Sequence, residues 1–587
     1  MVSAGIWKPV TGKPVKKDRI RDVFLFPTSI NTGARTANMR FALNTQLSGD
    51  FAREYSVRVY GICRDNSFLY ESQLWHTDTQ HTFGVSGVYF WWPKNYGDPD
   101  LYDITVELYH GEELCDTVQL RVGIRTVKLH NREMLSDKDR GEFCFEVNGK
   151  RIFVMGTNWV PLDALHANDI NRVDEAMAMI GDIGCNMIRC WGGNAYESDR
   201  FYELCDEMGV MIWQDFAMGC AVYPQDDEFA ARLKEEAVFQ IKRLRNHASI
   251  VLWAGDNECD YTYQWAGMRR DPNANMLTRQ ILKKACEVHD YTRPFLPSSP
   301  YMSERNFREN LRMQEDHLWG PRDYFKSEYY KNTDTRFASE MGYHGFPSVK
   351  SLKKFLANPE VLFKEDGSPT DEYLVHAASP ELSKYGTYAY RIRLAYTQVE
   401  TLFGQAEPNL DDFVKQSQIS QAEAKKYFIE KFRIKKWDRT GIIWWNLLDG
   451  WPQVSDAVVD YYYSKKLAYH FIKRSQQPVC LMFDEPVNFR IGLFGVNDLQ
   501  KDAAVDYTVT DVLADKQVLA GSAVLGANTS RRIAELKIRP DEKVFYRIRW
   551  MMDGKEYVNH YFSNIINIDY RLYMQALTAC GMDEFDL

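Results

Sequence analysis

The chain lacks any CxxC pair, although eleven cysteines are scattered over its 587 residues. A clustered zinc site and a disulfide framework are therefore poor readings, and the cysteines read as reduced thiols in a core, as in a cytoplasmic protein. No apolar run approaches the length of a membrane span, so a membrane partner is not expected. No basic stripe is present, and the formal net charge is −9, which argues against nucleic acid as a partner. There is no glycine-rich phosphate loop, no repeat array and no low-complexity segment. What is present is ordinary for a globular chain: 45% hydrophobic and 26% charged residues, enough for several domains. Aromatic residues are plentiful, with 15 Trp and 34 Tyr. A large core accounts for many of them, and sugar rings also stack on such side chains.

The organisation follows from periodicity. Over residues 20–125, Tyr102, Ile104, Val106 and Leu108 alternate with Asp103, Thr105 and Glu107, and Val57 and Val59 alternate in the same way. Short alternating runs with turn signals and no long helices predict a β-sandwich. From about residue 127 strands and helices take turns. Residues 151–160, 186–191, 210–215 and 250–253 read as strands. Between them lie helical faces that end at Gly184 and Gly209, and a longer helix that opens at Asp226. Further strands fit 294–298, 313–317, 336–340 and 441–445, which makes the eight of a TIM barrel. Residues 350–440 read as a helical elaboration of the seventh β/α unit. Alternation returns after about residue 478, as in Val544, Tyr546, Ile548 and Trp550, and a short helix is expected from Asp569. The expected fold is a multidomain chain with a central (β/α)8 barrel flanked by immunoglobulin-like sandwiches. The expected divisions are 1–18, 19–126, 127–477 and 478–587.

The polar residues fall at the C-terminal ends of the expected strands, where barrel enzymes hold their chemistry. They include Asn158 and Asp163 after the first strand, and Arg189 and Trp191 at the second. Asn257 and Glu258 follow the fourth, His317 and Trp319 lie near the sixth, Glu340 ends the seventh, and Trp445 and Asp449 follow the eighth. Any one of these reads equally well as a structural polar residue. Two carboxylates, Glu258 and Glu340, at the same end of one barrel are what glycosidic bond cleavage needs. A metal-dependent hydrolase would need clustered His and Asp, and His317 stands nearly alone.

Four separated motifs occur in order: NMIRCWGGNAYESDRFYELCDEMGVMIWQDF, LRNHASIVLWAGDNE, FASEMGYHGFPS and GIIWWNLLDGWP. Together they resemble glycoside hydrolase family 2, nearest to its β-mannosidases and exo-β-glucosaminidases. The resemblance implies a retaining exo-β-glycosidase acting on an oligosaccharide or glycoside, with Glu258 as acid/base, Glu340 as nucleophile and no cofactor. It further implies that Asn257 contacts a sugar hydroxyl, that Arg189 supports Glu340, and that Trp191 and Trp445 shape the pocket. β-Mannosides are the favoured substrates and β-glucosaminides the runner-up. A reading from another class is a non-catalytic carbohydrate-binding remnant. Asp256, Asn194 and Leu448 depart from the family's usual residues near the sugar. Residues 3–10 look like the last strand of the family's first sandwich, so the rest of that domain is expected to be missing. The face it would cover is expected to favour a homo-oligomer.

Overall fold

The structure, a computed structural model, describes residues 5–12, 14–136, 138–265, 269–377, 390–539 and 541–586. It divides into two compact units, Met1–Ile152 with Asn186–Met313 and Phe153–Cys185 with Gln314–Leu587. Among the described residues no helix is long and apolar enough to cross a membrane.

Eight short strands carry the barrel: β1 (Val154–Trp159), β2 (Met187–Cys190), β3 (Met211–Asp215), β4 (Ile250–Ala254), β5 (Phe295–Leu296), β6 (Glu315–His317), β7 (Phe337–Glu340) and β8 (Gly441–Trp444). Their hydrogen-bonded order is β5-β4-β3-β2-β1-β8-β7-β6, the sequential order of a (β/α)8 barrel. Every residue of β1, β2, β3, β4, β7 and β8 is buried. This explains why their sequences show no apolar–polar alternation, since a strand covered on both faces has no wet side to alternate with. One expected boundary is wrong. Residues 151–160 are not one strand, because Asn148 and Gly149, both at positive φ, make a tight two-residue hairpin. That turn folds Lys150–Ile152 back against Glu142–Val147, and the barrel strand starts only at Val154.

The first unit holds a seven-stranded sandwich. Arg19–Asn31, Thr36–Gln46 and Asp78–Ser86 form one antiparallel sheet, and Asn66–Gln73, Tyr55–Cys63, Tyr102–His110 and Glu113–Val122 form the other. The alternating residues meet in its core, among them Met39, Phe41, Val57, Val59, Ile104, Val106 and Leu108. The same unit contains β2 to β5 with α2 (Asp199–Met208) and α3 (Asp227–Leu244), after α1 (Val173–Ile183) in the other unit. α3 starts where expected, with the Asp226 carboxylate accepting the Phe229 N–H at 2.9 Å. α2 ends where expected, at Gly209 with φ +67°. Residues 5–12 and 14–18 hold no strand, and residues 3 and 4 of the expected remnant strand lie outside the described residues.

The second unit contains β1 and β6 to β8. Its long helix α4 (Leu410–Ile434) is buried along almost its whole length, and α5 (Leu467–Ser475) packs beside it. Residues 378–389 of the expected helical elaboration lie outside the described residues. A second seven-stranded sandwich follows, with Val479–Phe483, Arg490–Asn497 and Thr529–Lys537 in one sheet and Lys516–Leu525, Ala503–Asp511, Phe545–Met552 and Lys555–Phe562 in the other. The expected terminal helix is α6 (Tyr570–Ala579), capped by Asp569.

Candidate functional site

In the first unit the backbone just past the barrel strands is itself laced together. Single parallel bridges join Gly219 to Asn257 and Asn257 to Ser299, so the loops after β3, β4 and β5 continue the sheet by one more rung. Glu258 sits on that rung with its N–H bonded to the Ser299 carbonyl at 2.9 Å. Its φ is +56°, a left-handed backbone that a glutamate adopts only where its surroundings enforce it. This conformation ends the strand direction and starts a short helix whose first acceptor is the Glu258 carbonyl.

Arg189, the third residue of β2, is wholly buried and donates to Asp215 Oδ2 at 2.8 Å and to Asn257 Oδ1 at 2.7 Å. Asp215 is fixed in turn by the Gly192 N–H at 3.0 Å and the Trp213 indole N–H at 2.9 Å. Asn257 donates its amide to Cys220 Sγ at 3.4 Å, and the Cys220 thiol lies 3.5 Å from Glu258 Oε2 as donor. Burial pushes the Glu258 carboxyl above its ordinary range, opposed by the thiol and then by the Arg189 charge. Trp191 lies flat against Gly193, where any side chain would strike its ring. Asn194 is buried and bonds Glu197 at 3.0 Å.

In the second unit Glu340 ends β7. Its Oε2 accepts the Trp319 indole N–H at 2.8 Å, and His317 Nδ1 lies 3.4 Å from the same oxygen. The Trp319 N–H and the His317 ring nitrogen converge on this one oxygen and orient the carboxyl group. Trp319 meets Trp445 edge to face at 6.3 Å, and Arg322 lies over Trp319. Lys425, which burial pushes down to about 7, donates to the Trp445 carbonyl. Asn158 donates to the Ser339 carbonyl at 2.9 Å, one residue before Glu340. Five of the expected residues of this unit therefore fall into one linked group: Asn158, His317, Trp319, Glu340 and Trp445.

Asp163 and Asp449 belong to other networks. Asp163 accepts from the Leu165 N–H and the Tyr461 hydroxyl, both at 2.8 Å. Asp449 accepts from Gln453 and Ser455 at 2.6 Å each, and burial pushes it up to about 6. Sequence reasoning missed Cys220, whose signal is only a glycine-flanked cysteine after β3. It also missed the buried His344 and Asp456, 3.7 Å apart. Asp456 crowds the face of Gly342 together with the Trp319 ring.

The chain is similar in sequence and fold to known proteins. The model of glycosyl hydrolases family 2 matches residues 19–125, and the TIM barrel domain model of the same family matches 140–333. β-Mannosidase B of Emericella nidulans is 32% identical over 424 residues, 68% of this chain and 48% of that protein. β-Mannosidase B of Thermothelomyces thermophilus is 30% identical over 514 residues, 82% of this chain and 57% of that protein. The crystal structure of a β-D-mannosidase from Dictyoglomus thermophilum superposes with a TM-score of 0.79 at 27% identity, covering 94% of this chain and 67% of that one. The exo-chitosanase of Amycolatopsis orientalis shares the fold, with a TM-score of 0.71 at 17% identity over 93% of this chain and 64% of its own. This chain spans about half the length of the two fungal relatives. Two consecutive domain models of one family match it in order, and carboxyl groups stand past β4 and at the end of β7: the chain belongs to glycoside hydrolase family 2.

Proposed function

We propose that this chain carries the catalytic barrel of a retaining exo-β-glycosidase that removes terminal β-linked sugars, with β-mannosides as substrates. The observation that carries the reading is the unlike treatment of two carboxyl groups past β4 and on β7. Glu258 is half-buried, and the loss of solvent around its carboxyl makes it keep its proton more readily than a free glutamate. Glu340 instead receives the Trp319 N–H. A retaining enzyme needs one carboxyl of each kind.

In this mechanism the Glu340 carboxylate attacks the anomeric carbon while Glu258 passes its proton to the departing glycosidic oxygen. The product is a glycosyl-enzyme ester on Glu340. Glu258, now ionised, takes a proton from water, which attacks the same carbon and restores both groups. Asn257 binds the hydroxyl next to the anomeric carbon, and Arg189 fixes that asparagine and supports Glu340. Trp191, Trp319 and Trp445 form pocket walls. The choice of mannosides rests on the names of the two fungal relatives and of the Dictyoglomus enzyme.

A panel of aryl β-glycosides tests the reading, and the β-mannoside is expected to be hydrolysed fastest. Glu258→Ala should lower turnover of substrates with poor leaving groups roughly 10²–10⁴-fold. Added azide should then restore turnover of an activated substrate and yield the β-glycosyl azide. An α-azide from this variant would exchange the roles of Glu258 and Glu340. In a crystal structure the two carboxyls are expected about 5–5.5 Å apart, and a gap of roughly 6.5–9.5 Å would indicate inversion.

A further inference from the structure

Four side chains of the first unit form a directed chain of hydrogen bonds. Arg189 donates to Asn257 Oδ1 at 2.7 Å, Asn257 Nδ2 donates to Cys220 Sγ at 3.4 Å, and the Cys220 thiol donates towards Glu258 Oε2 at 3.5 Å. The first bond fixes the amide orientation, because a guanidinium can only donate. Every donor then points the same way, from the buried cation to the carboxyl, and bonds aligned in this manner polarise one another. The backbone of Cys220 is built for this task. Its φ is +49°, an unusual conformation for a residue with a side chain. Its N–H is tied to the Asn257 carbonyl at 2.8 Å. Residue 220 is thus pinned to residue 257 through both main chain and side chain, with its sulfur held against residue 258.

We propose that Cys220 is a positioning residue for the acid/base carboxyl, its thiol holding Glu258 Oε2 so that Oε1 carries the proton delivered to the leaving oxygen. This rests on the role assigned above to Glu258. An acid/base group must be an acid in the first step and a base in the second, with its oxygens unchanged in place. A donor on one oxygen steadies the ionised form between the steps without taking up the oxygen that moves the proton. Sulfur suits the position, because its long bonds reach both the Asn257 amide and the Glu258 carboxyl from one β-carbon. Among the charged and titratable groups that bear on Glu258 are Arg189 and Cys220, and Glu340 enters through the mechanism itself.

The test compares Cys220→Ala and Cys220→Ser with the parent chain on a methyl β-glycoside and on a dinitrophenyl β-glycoside. Removing a donor to the ionised form raises the Glu258 pKa, so the basic limb of kcat/KM should move up by about half a pH unit in Cys220→Ala. The methyl glycoside needs the acid and should lose roughly three- to tenfold. The dinitrophenyl glycoside, whose leaving group needs no proton, should lose far less. Serine retains a hydroxyl donor and should return the limb most of the way. An unmoved limb with equal losses on both substrates would overturn the proposal. A second measurement does not depend on turnover. Iodoacetamide labelling of Cys220, an exposed cysteine, is read by peptide mapping in the parent and in Glu258→Gln. A neighbouring carboxylate opposes thiolate formation, so the variant should react several-fold faster at pH 8. Equal rates would reject the contact. Absence of glycosidase activity in the parent would count against the proposed function, while the labelling would still decide whether Cys220 holds Glu258.

Discussion

Asp256 shows how much one buried oxygen matters beside this site. The residue is fully buried; its Oδ1 accepts from the Ser298 hydroxyl at 2.5 Å and the Cys259 N–H at 3.2 Å, while Oδ2 meets no donor. Asp260 next to it is clasped by Arg279 at 2.7 and 2.6 Å. Burial first, and the Asp260 charge second, push Asp256 above the carboxylate range. The folded chain therefore keeps a proton that the unfolded chain releases near pH 4. Between that point and the folded pKa the native state binds more protons, so stability falls as pH rises. Asp256→Asn keeps the shape and removes the titration. The variant should match the parent near pH 4 and exceed it increasingly towards pH 7.5, as read from urea unfolding at several pH values. A constant gap would mean that Asp256 is already ionised in the fold. At this scale the sequence is uneven. Glu258 and Glu340 are legible because each stands at the end of a short apolar run. Cys220 is not, because its meaning depends on a left-handed backbone and a partner 38 residues away.

Among the elements, the barrel strands buried on both faces are legible from apolar runs such as Ile250–Ala254, whereas β6, Glu315–His317, has no apolar run and is legible only from its place in the strand–helix order. Boundaries are less so, as at Lys150–Ile152, where a hairpin turn outweighs the apolar pattern of the run that follows it. α4 is the clearest case of hidden context. Its Ala-, Lys- and Glu-rich run reads as a helix of any exposure, yet Lys425, Lys426, Glu430 and Arg433 are all buried. Lys426 and Glu430 pair within the helix, and the other partners come from farther along the chain, as Ser475 and Asn559 do for Glu430. Asp498 takes Arg433 at the end of α4 and Lys436 just beyond it, the latter at 2.6 Å. Burial opposes a charge on Asp498, but Arg433 and then Lys436 outweigh it and hold the carboxyl below its ordinary range. Asp498→Ala would leave two buried cations unpaired and should cost about 3–5 kcal/mol at neutral pH. The sign with pH follows. A depressed folded pKa contributes its full stability above the unfolded value and loses it as pH falls through the folded one. The gap between parent and variant should therefore narrow below about pH 4, as denaturant titrations at pH 7 and pH 3 would show.

At the scale of the molecule the chain is interleaved. Each compact unit is made of two separate stretches, and the break after residue 313 falls inside the barrel rather than between domains. The family's barrel model matches residues 140–333, which invites expression of that segment alone. Such a segment carries β1 to β6 but not β7 or β8. β1 pairs with β8 from Val154↔Gly441 to Thr157↔Trp444, and β6 pairs with β7 from Glu315↔Phe337 to His317↔Glu340. Removing both partners exposes an unpaired edge on β1 and another on β6. The residues of β1 are buried throughout, so its new edge would be apolar as well as unbonded, a template for aggregation. The segment also keeps Glu258 and loses Glu340. Fragment 140–333 is expected to collect in aggregates and to show no cooperative thermal transition by circular dichroism, whereas the full chain should unfold cooperatively. Azide cannot restore turnover to the fragment, because azide replaces an acid/base and not the carboxylate that forms the ester. A monomeric, cooperatively melting fragment would show that the first six strands close a core without their partners, and the β1–β8 and β6–β7 pairings would then be additions to the fold rather than conditions for it.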